Sequence, residues 1–118
     1  MARRAAKTDA NQSDIIKVFE QLGVSVEDTS GAHNGFTDIV VGYKGITVLV
    51  EIKNSANVPS KRRLTDDQVK VHDRFQGAIT VVETQEQAIA LVERMREAAY
   101  RIAGIDWYVG AIANAPGG

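Results

Sequence analysis

No cysteine occurs among the 118 residues. That excludes disulfides, thiolate metal ligands and a thiol nucleophile, and it fits a reducing compartment. Histidine occurs twice, as His33 and His72, far apart and with no partner at ligand spacing, which argues against a zinc site or a histidine-based nuclease. Charge of one sign is not in excess: the formal net charge is -1, so any nucleic-acid surface has to be a local patch. No apolar run is long enough to cross a bilayer. The basic start Met1-Ala2-Arg3-Arg4-Ala5-Ala6-Lys7 lacks the apolar stretch of a signal peptide. Phosphate-cradling glycine loops, a G-x-S-x-G elbow and a dinucleotide fingerprint are all missing, so nothing supports a nucleotide cofactor or acyl transfer. A protein of the cytoplasm, without membrane contact, is the expectation.

What remains is the composition of one ordinary globular domain, 44% hydrophobic and 25% charged. Asp9 is a candidate N-cap with Gln12 at the third helical position, and Ile15, Val18, Phe19 and Leu22 recur at helical spacing before Gly23. A short strand is expected over 24–27, then a glycine-rich loop over 30–35. Two β-branched strands follow, 37–43 and 46–53, with Lys44-Gly45 between them as a tight turn. After a polar linker, 54–63, a second helix opens at Thr65 with Gln68 completing a capping box. A strand over 78–82 leads to a third box, Thr84 and Gln87. The last helix aligns Ala88, Leu91, Val92, Met95, Ala99 and Ile102 on one face. The order is α-β-β-β-α-β-α, an α/β domain over 9–103 with a central mixed sheet flanked by helices. It lies between a flexible basic arm, 1–8, and a tail, 104–118, read as an extra strand or a subunit contact.

Chemistry concentrates on the central hairpin. Side chains alternate along a strand, so Glu51 and Lys53 share a face. With a two-residue loop at Lys44-Gly45, Tyr43 opposes Ile46 and Asp38 falls directly opposite Glu51, Cβ atoms roughly 5 Å apart. A four-residue loop keeps both acids on one face; a three-residue loop separates them. Two facing carboxylates repel unless a cation lies between them, and magnesium suits oxygen ligands of this kind. Such an ion polarises a phosphodiester and acidifies water, and Lys53 beside it can orient or deprotonate that water or offset charge on the phosphate. On spacing alone, exposed acids and a Glu–Lys pair at the end of a sheet are the alternative.

The pattern Gly35-Phe36-Thr37-Asp38, twelve residues, then Glu51-Ile52-Lys53 resembles the PD-(D/E)XK nuclease superfamily. More narrowly, it is similar to its VRR-NUC-type and phage-encoded, Holliday-junction-resolvase-like members. The segment Ser60-Lys61-Arg62-Arg63-Leu64-Thr65-Asp66-Asp67-Gln68 resembles the approach to that superfamily's second core helix. The resemblance implies a restriction-endonuclease-like core and a metal-dependent endonuclease that hydrolyses DNA in repair or recombination, with junctions, flaps, nicks and plain duplex all open as substrates. A phage-encoded member would act in its host's cytoplasm. It implies Asp38, Glu51 and the Ile52 carbonyl as ligands of Mg2+, with Mn2+ able to substitute, and Lys53 as the catalytic lysine. Gln68 matches a helix position that contacts the site, and capping explains it equally well. Gln12 lies where relatives carry a ligating glutamate, and there too capping is the alternative. Thr37 replaces the usual proline, which is no ligand.

Between Lys53 and Arg74 six basic residues stand against three acidic ones, and Lys61, Arg62, Arg63, Lys70 and Arg74 are candidates to grip phosphates. One small chain offers one site, so cutting both strands calls for a homodimer. The alternative function is a nucleic-acid-binding module that has the fold but no catalysis.

Overall fold

The computed structural model describes residues 2–54 and 56–101, with side chains from residue 11 onward. The elements are α1 (Ala2–Gln21), β1 (Ser25–Asp28), β2 (Ile39–Tyr43), β3 (Ile46–Ile52), α2 (Pro59–Arg62), α3 (Asp66–Arg74), β4 (Ile79–Val82) and α4 (Gln85–Arg101). The strands form one sheet in the order β1-β2-β3-β4. β1 and β2, like β2 and β3, run antiparallel, while β3 and β4 run parallel through the connection that holds α2 and α3.

Two boundaries differ from the sequence expectation. α1 does not begin at Asp9 but runs from Ala2, so Gln12 sits inside the helix and is not the third residue of a capping box. Alanine, arginine and lysine dominate residues 2–7, all strong helix formers, with no glycine or proline to stop propagation toward the N-terminus. Within the expected linker 54–63, Pro59 starts the single turn of α2, a position where its missing N–H costs nothing. The tail 104–118 and Ile102 lie outside the described residues.

Alternation along the strands separates two faces. Ile39, Val41, Val48, Val50 and Val82 point one way and are buried against Ile15 and Phe19 of α1 and Ala88, Val92 and Met95 of α4. Each large apolar side chain buried there contributes about 1.5–3 kcal/mol. Leu22, in line with that stripe, is 36% exposed, because α1 has ended beside it. The second face carries Val40, Leu49 and Glu51 and is approached by α3, whose Val71 is buried. Among the described residues, no helix is long and apolar enough to cross a membrane.

Candidate metal and nucleic-acid site

The turn at Lys44-Gly45 is the two-residue kind. Both residues have positive φ, 49° and 88°, the geometry whose twist matches that of antiparallel strands. Tyr43 pairs with Ile46 and the register continues to Ile39 opposite Val50, so the next pair is Asp38 and Glu51. At Asp38 the ladder changes character. The Thr37 carbonyl, next in line for β3, instead accepts from Thr29 Oγ1 at 2.7 Å. The Ile52 N–H then donates to the Asp38 carboxylate, Oδ2, at 2.7 Å. The side chain thus replaces a strand hydrogen bond, and that bond fixes its position. N–H and C=O of an extended residue point to the same edge, so the Ile52 carbonyl also faces the Asp38 side.

Glu51 is 3% exposed. Its Oε2 accepts from Gln68 Nε2 at 2.8 Å and lies 3.7 Å from Lys53 Nζ. Its Oε1 is buried and has no hydrogen-bond partner among the described residues. Burial, followed by the charge of Asp38, pushes the Glu51 carboxyl up to about 8, against the pull of Lys53. A buried carboxyl oxygen left bare is costly, and either a proton or a cation relieves it.

Gln68 caps α3 and at the same time touches Glu51 and Lys53. Its Oε1 accepts from the Thr65 backbone N–H at 2.9 Å while Thr65 Oγ1 accepts from the Gln68 N–H, a complete capping box. The same Oε1 also accepts from Lys53 Nζ at 3.0 Å. Two donors on one atom require that atom to be oxygen, so the amide nitrogen must face Glu51. α3 is thereby fastened to the carboxylate and the lysine together.

Asp38, Glu51, Ile52 and Lys53 line a cleft of about 280 Å3 with Asn11, Gln12, Asn54, Asn57 and Lys61. Gln12, within α1, stands at the cleft wall. Asn11 had no signal in the sequence, because a lone amide at that spacing marks nothing. It donates from Nδ2 to the Lys53 carbonyl at 3.0 Å and the Glu83 carbonyl at 3.3 Å, strapping α1 across the ends of β3 and β4. Asn54 and Asn57 were likewise unmarked.

The basic candidates divide. Lys61 is exposed and lines the cleft. Arg62 turns away to Glu83, NH1 to Oε1 at 3.7 Å, with its Nε buried; a neighbouring carboxylate competes with phosphate for it. Arg63, Lys70 and Arg74 are exposed on the connection and on α3. His33 contacts the Asn34 carbonyl and stacks near Phe36 in the exposed loop. His72 is half-buried, with Nε2 unpartnered among the described residues and its pKa lowered mainly by burial.

The donors present fit a hard divalent cation: the Asp38 carboxylate, the bare Oε1 of Glu51, a backbone carbonyl directed to the same edge and the Gln12 amide at the cleft wall. Among the described residues no group of three His, Cys, Asp or Glu side chains gathers around one point. A cation here would keep several of its waters, as magnesium does.

Fold and site define an α/β protein with a four-stranded mixed sheet and a polar cleft at the carboxyl ends of its parallel pair. No family model, no curated protein and no solved structure matches the chain.

Proposed function

We propose that this chain is a metal-dependent deoxyribonuclease with a restriction-endonuclease-like core of the PD-(D/E)XK type. The observation that carries the reading is the bare, buried Glu51 Oε1 beside Asp38 in a cleft that Lys53 also lines. A purely structural carboxylate at that depth would be matched by donors. A bound Mg2+ or Mn2+ would be held by Asp38, Glu51 and the Ile52 carbonyl, with Gln12 within the same cleft, and would supply Lewis-acid polarisation of a phosphodiester.

The chain's own residues do the rest. Lys53, held by Gln68, presents its ammonium group to the cleft, where it neutralises charge developing on a scissile phosphate or orients the attacking water. Lys61 on the rim contacts a flanking phosphate. Gln68 bonds to both Glu51 and Lys53 and so fixes the geometry of their 3.7 Å ion pair.

A second reading is an inactive module that binds nucleic acid without cutting it. The observation in its favour is the small ligand set, two carboxylates with no third acidic or imidazole group among the described residues.

The deciding experiment is cleavage of linear, flapped, single-stranded and four-way-junction DNA with magnesium or manganese, for the wild type, Glu51→Gln and Lys53→Ala. Metal-dependent cutting that is lost in both variants supports the nuclease, and the preferred substrate defines its class. Binding of every substrate with no cutting leaves the inactive module standing.

A further inference from the structure

The loop between β1 and β2 carries Gly35, at φ +84°. Its α-carbon lies so close to α3 that a Cβ there would stand 2.5 Å from the Asp67 carbonyl oxygen, 2.6 Å from the carbonyl carbon and 2.8 Å from Asp67 Cβ. Two of these atoms are backbone, so no side chain can swing aside to relieve the overlap. The loop therefore lies flat against the first turn of α3, one residue before Gln68.

That contact matters because apolar burial holds α3 only lightly: Val71 is its one buried residue. Its remaining ties to the hairpin are polar and pass through Gln68, to Glu51 Oε2 and Lys53 Nζ. Three residues after Gly35, at the end of the same loop and just before β2, comes Asp38. A single stretch of chain thus sets one carboxylate and seats the helix whose glutamine holds the other.

We propose that Gly35 is a positioning residue for Gln68. Its missing Cβ lets the loop seat on the Asp67 backbone, and that seating sets the α3 first turn where Gln68 bridges Glu51 and Lys53. The consequence for cleavage rests on the nuclease reading; the consequence for the Gln68 hydrogen bonds does not.

The fold contains its own control. Gly23, after α1, has φ +83° and nothing within 4 Å of where a Cβ would lie. Alanine at 23 suffers the same left-handed backbone cost as alanine at 35, without the collision.

The experiment compares Gly35→Ala with Gly23→Ala, reading the Gln68 side-chain amide resonances by NMR and the pH profile of cleavage with magnesium. Gln68→Ala assigns the resonances. Both glycine variants are expected to melt lower than the wild type. Only Gly35→Ala is expected to move the Gln68 amide signals toward those of a free glutamine, to change the pH profile and to cut kcat by roughly tenfold to a hundredfold, the scale of an ångström's misplacement. The double variant Gly35→Ala/Gln68→Ala is expected to cleave no more slowly than Gln68→Ala, since both act through one group.

Unmoved Gln68 signals in folded Gly35→Ala, or equal movement in both glycine variants, overturn the proposal. If Gly35→Ala does not fold, one glycine inserted after Gly35 slackens the loop without adding a Cβ. Loss of the bonded Gln68 signals supports the proposal there too, and their persistence overturns it. A wild type that cuts no DNA overturns the nuclease reading, while the resonances still decide the role of Gly35.

Discussion

Gln68 Nε2 donates to Glu51 Oε2 over 2.8 Å, and this bond joins a surface helix to a carboxylate that is 97% enclosed. The other end of the same amide accepts from Lys53 and from the Thr65 backbone. Removing the side chain therefore takes a partner from three residues at once, Glu51, Lys53 and Thr65. Gln68→Ala is expected to cost about 1–3 kcal/mol of stability and to slow cleavage. Thr65→Ala removes the cap oxygen but leaves Glu51 and Lys53 bonded, costing about 1 kcal/mol with cleavage little changed. Urea unfolding beside a cleavage assay separates the two; equal loss of activity would reduce Gln68 to a capping residue.

The depth of Glu51 makes stability depend on pH in a stated direction. The folded chain keeps the Glu51 proton up to about pH 8, whereas the unfolded chain releases it near the ordinary value of 4.5. Across that window the folded state binds more protons, so metal-free stability falls as pH rises, by an amount on the order of a few kcal/mol. Glu51→Gln carries no proton to lose, and its melting temperature is expected to stay flat from pH 5 to 9 where the wild type declines. Magnesium is expected to restore the wild type at high pH, by stabilising the ionised carboxyl, and to leave Glu51→Gln unmoved. Parallel pH profiles for the two proteins would refute the assignment.

Lys61 and Arg62 are neighbours in sequence with different surroundings. Lys61 lines the cleft, while Arg62 reaches Glu83. If Lys61 meets a phosphate, Lys61→Ala weakens DNA binding across all sequences and flattens the log–log salt dependence by about one unit. Arg62→Ala is expected to leave that slope unchanged. Fluorescence anisotropy over a salt series distinguishes them, and identical slopes for both variants would count against the geometry.

On the nuclease reading, cutting both strands of a duplex or a junction needs two centres, and the described residues of one chain bring Asp38, Glu51 and Lys53 together in one cleft. A two-chain mass is expected by light scattering at micromolar concentration, with paired cuts on junction DNA. A monomeric mass that persists while both strands are cut would remove the dimer from the account.

Much of the fold was legible because it rests on local rules. Helical spacing placed Phe19 and Ile15 in the core, and β-branched runs marked β2 and β3. Thr65 with Gln68 and Thr84 with Gln87 announced the starts of α3 and α4; in the second pair, Gln87 N–H donates to Thr84 Oγ1 at 3.1 Å. The start of α1 misled because Asp9 has the chemistry of a cap, while the alanine-rich stretch before it has no reason to leave the helix.

For the candidate site, the sequence by itself determined that Glu51 and Lys53 share a face, because side chains alternate along a strand. That Asp38 joins them depended on the length of the turn, which the positive φ at Lys44 and Gly45 and the pairing of Tyr43 with Ile46 decided. Only the tertiary structure decided what surrounds them. The bare Glu51 oxygen, the double use of Gln68, the arrival of Asn11 and Gln12 and the diversion of Arg62 each join elements far apart in sequence. Contacts of that kind follow from how helices settle on a twisted sheet, and no spacing in the chain encodes them.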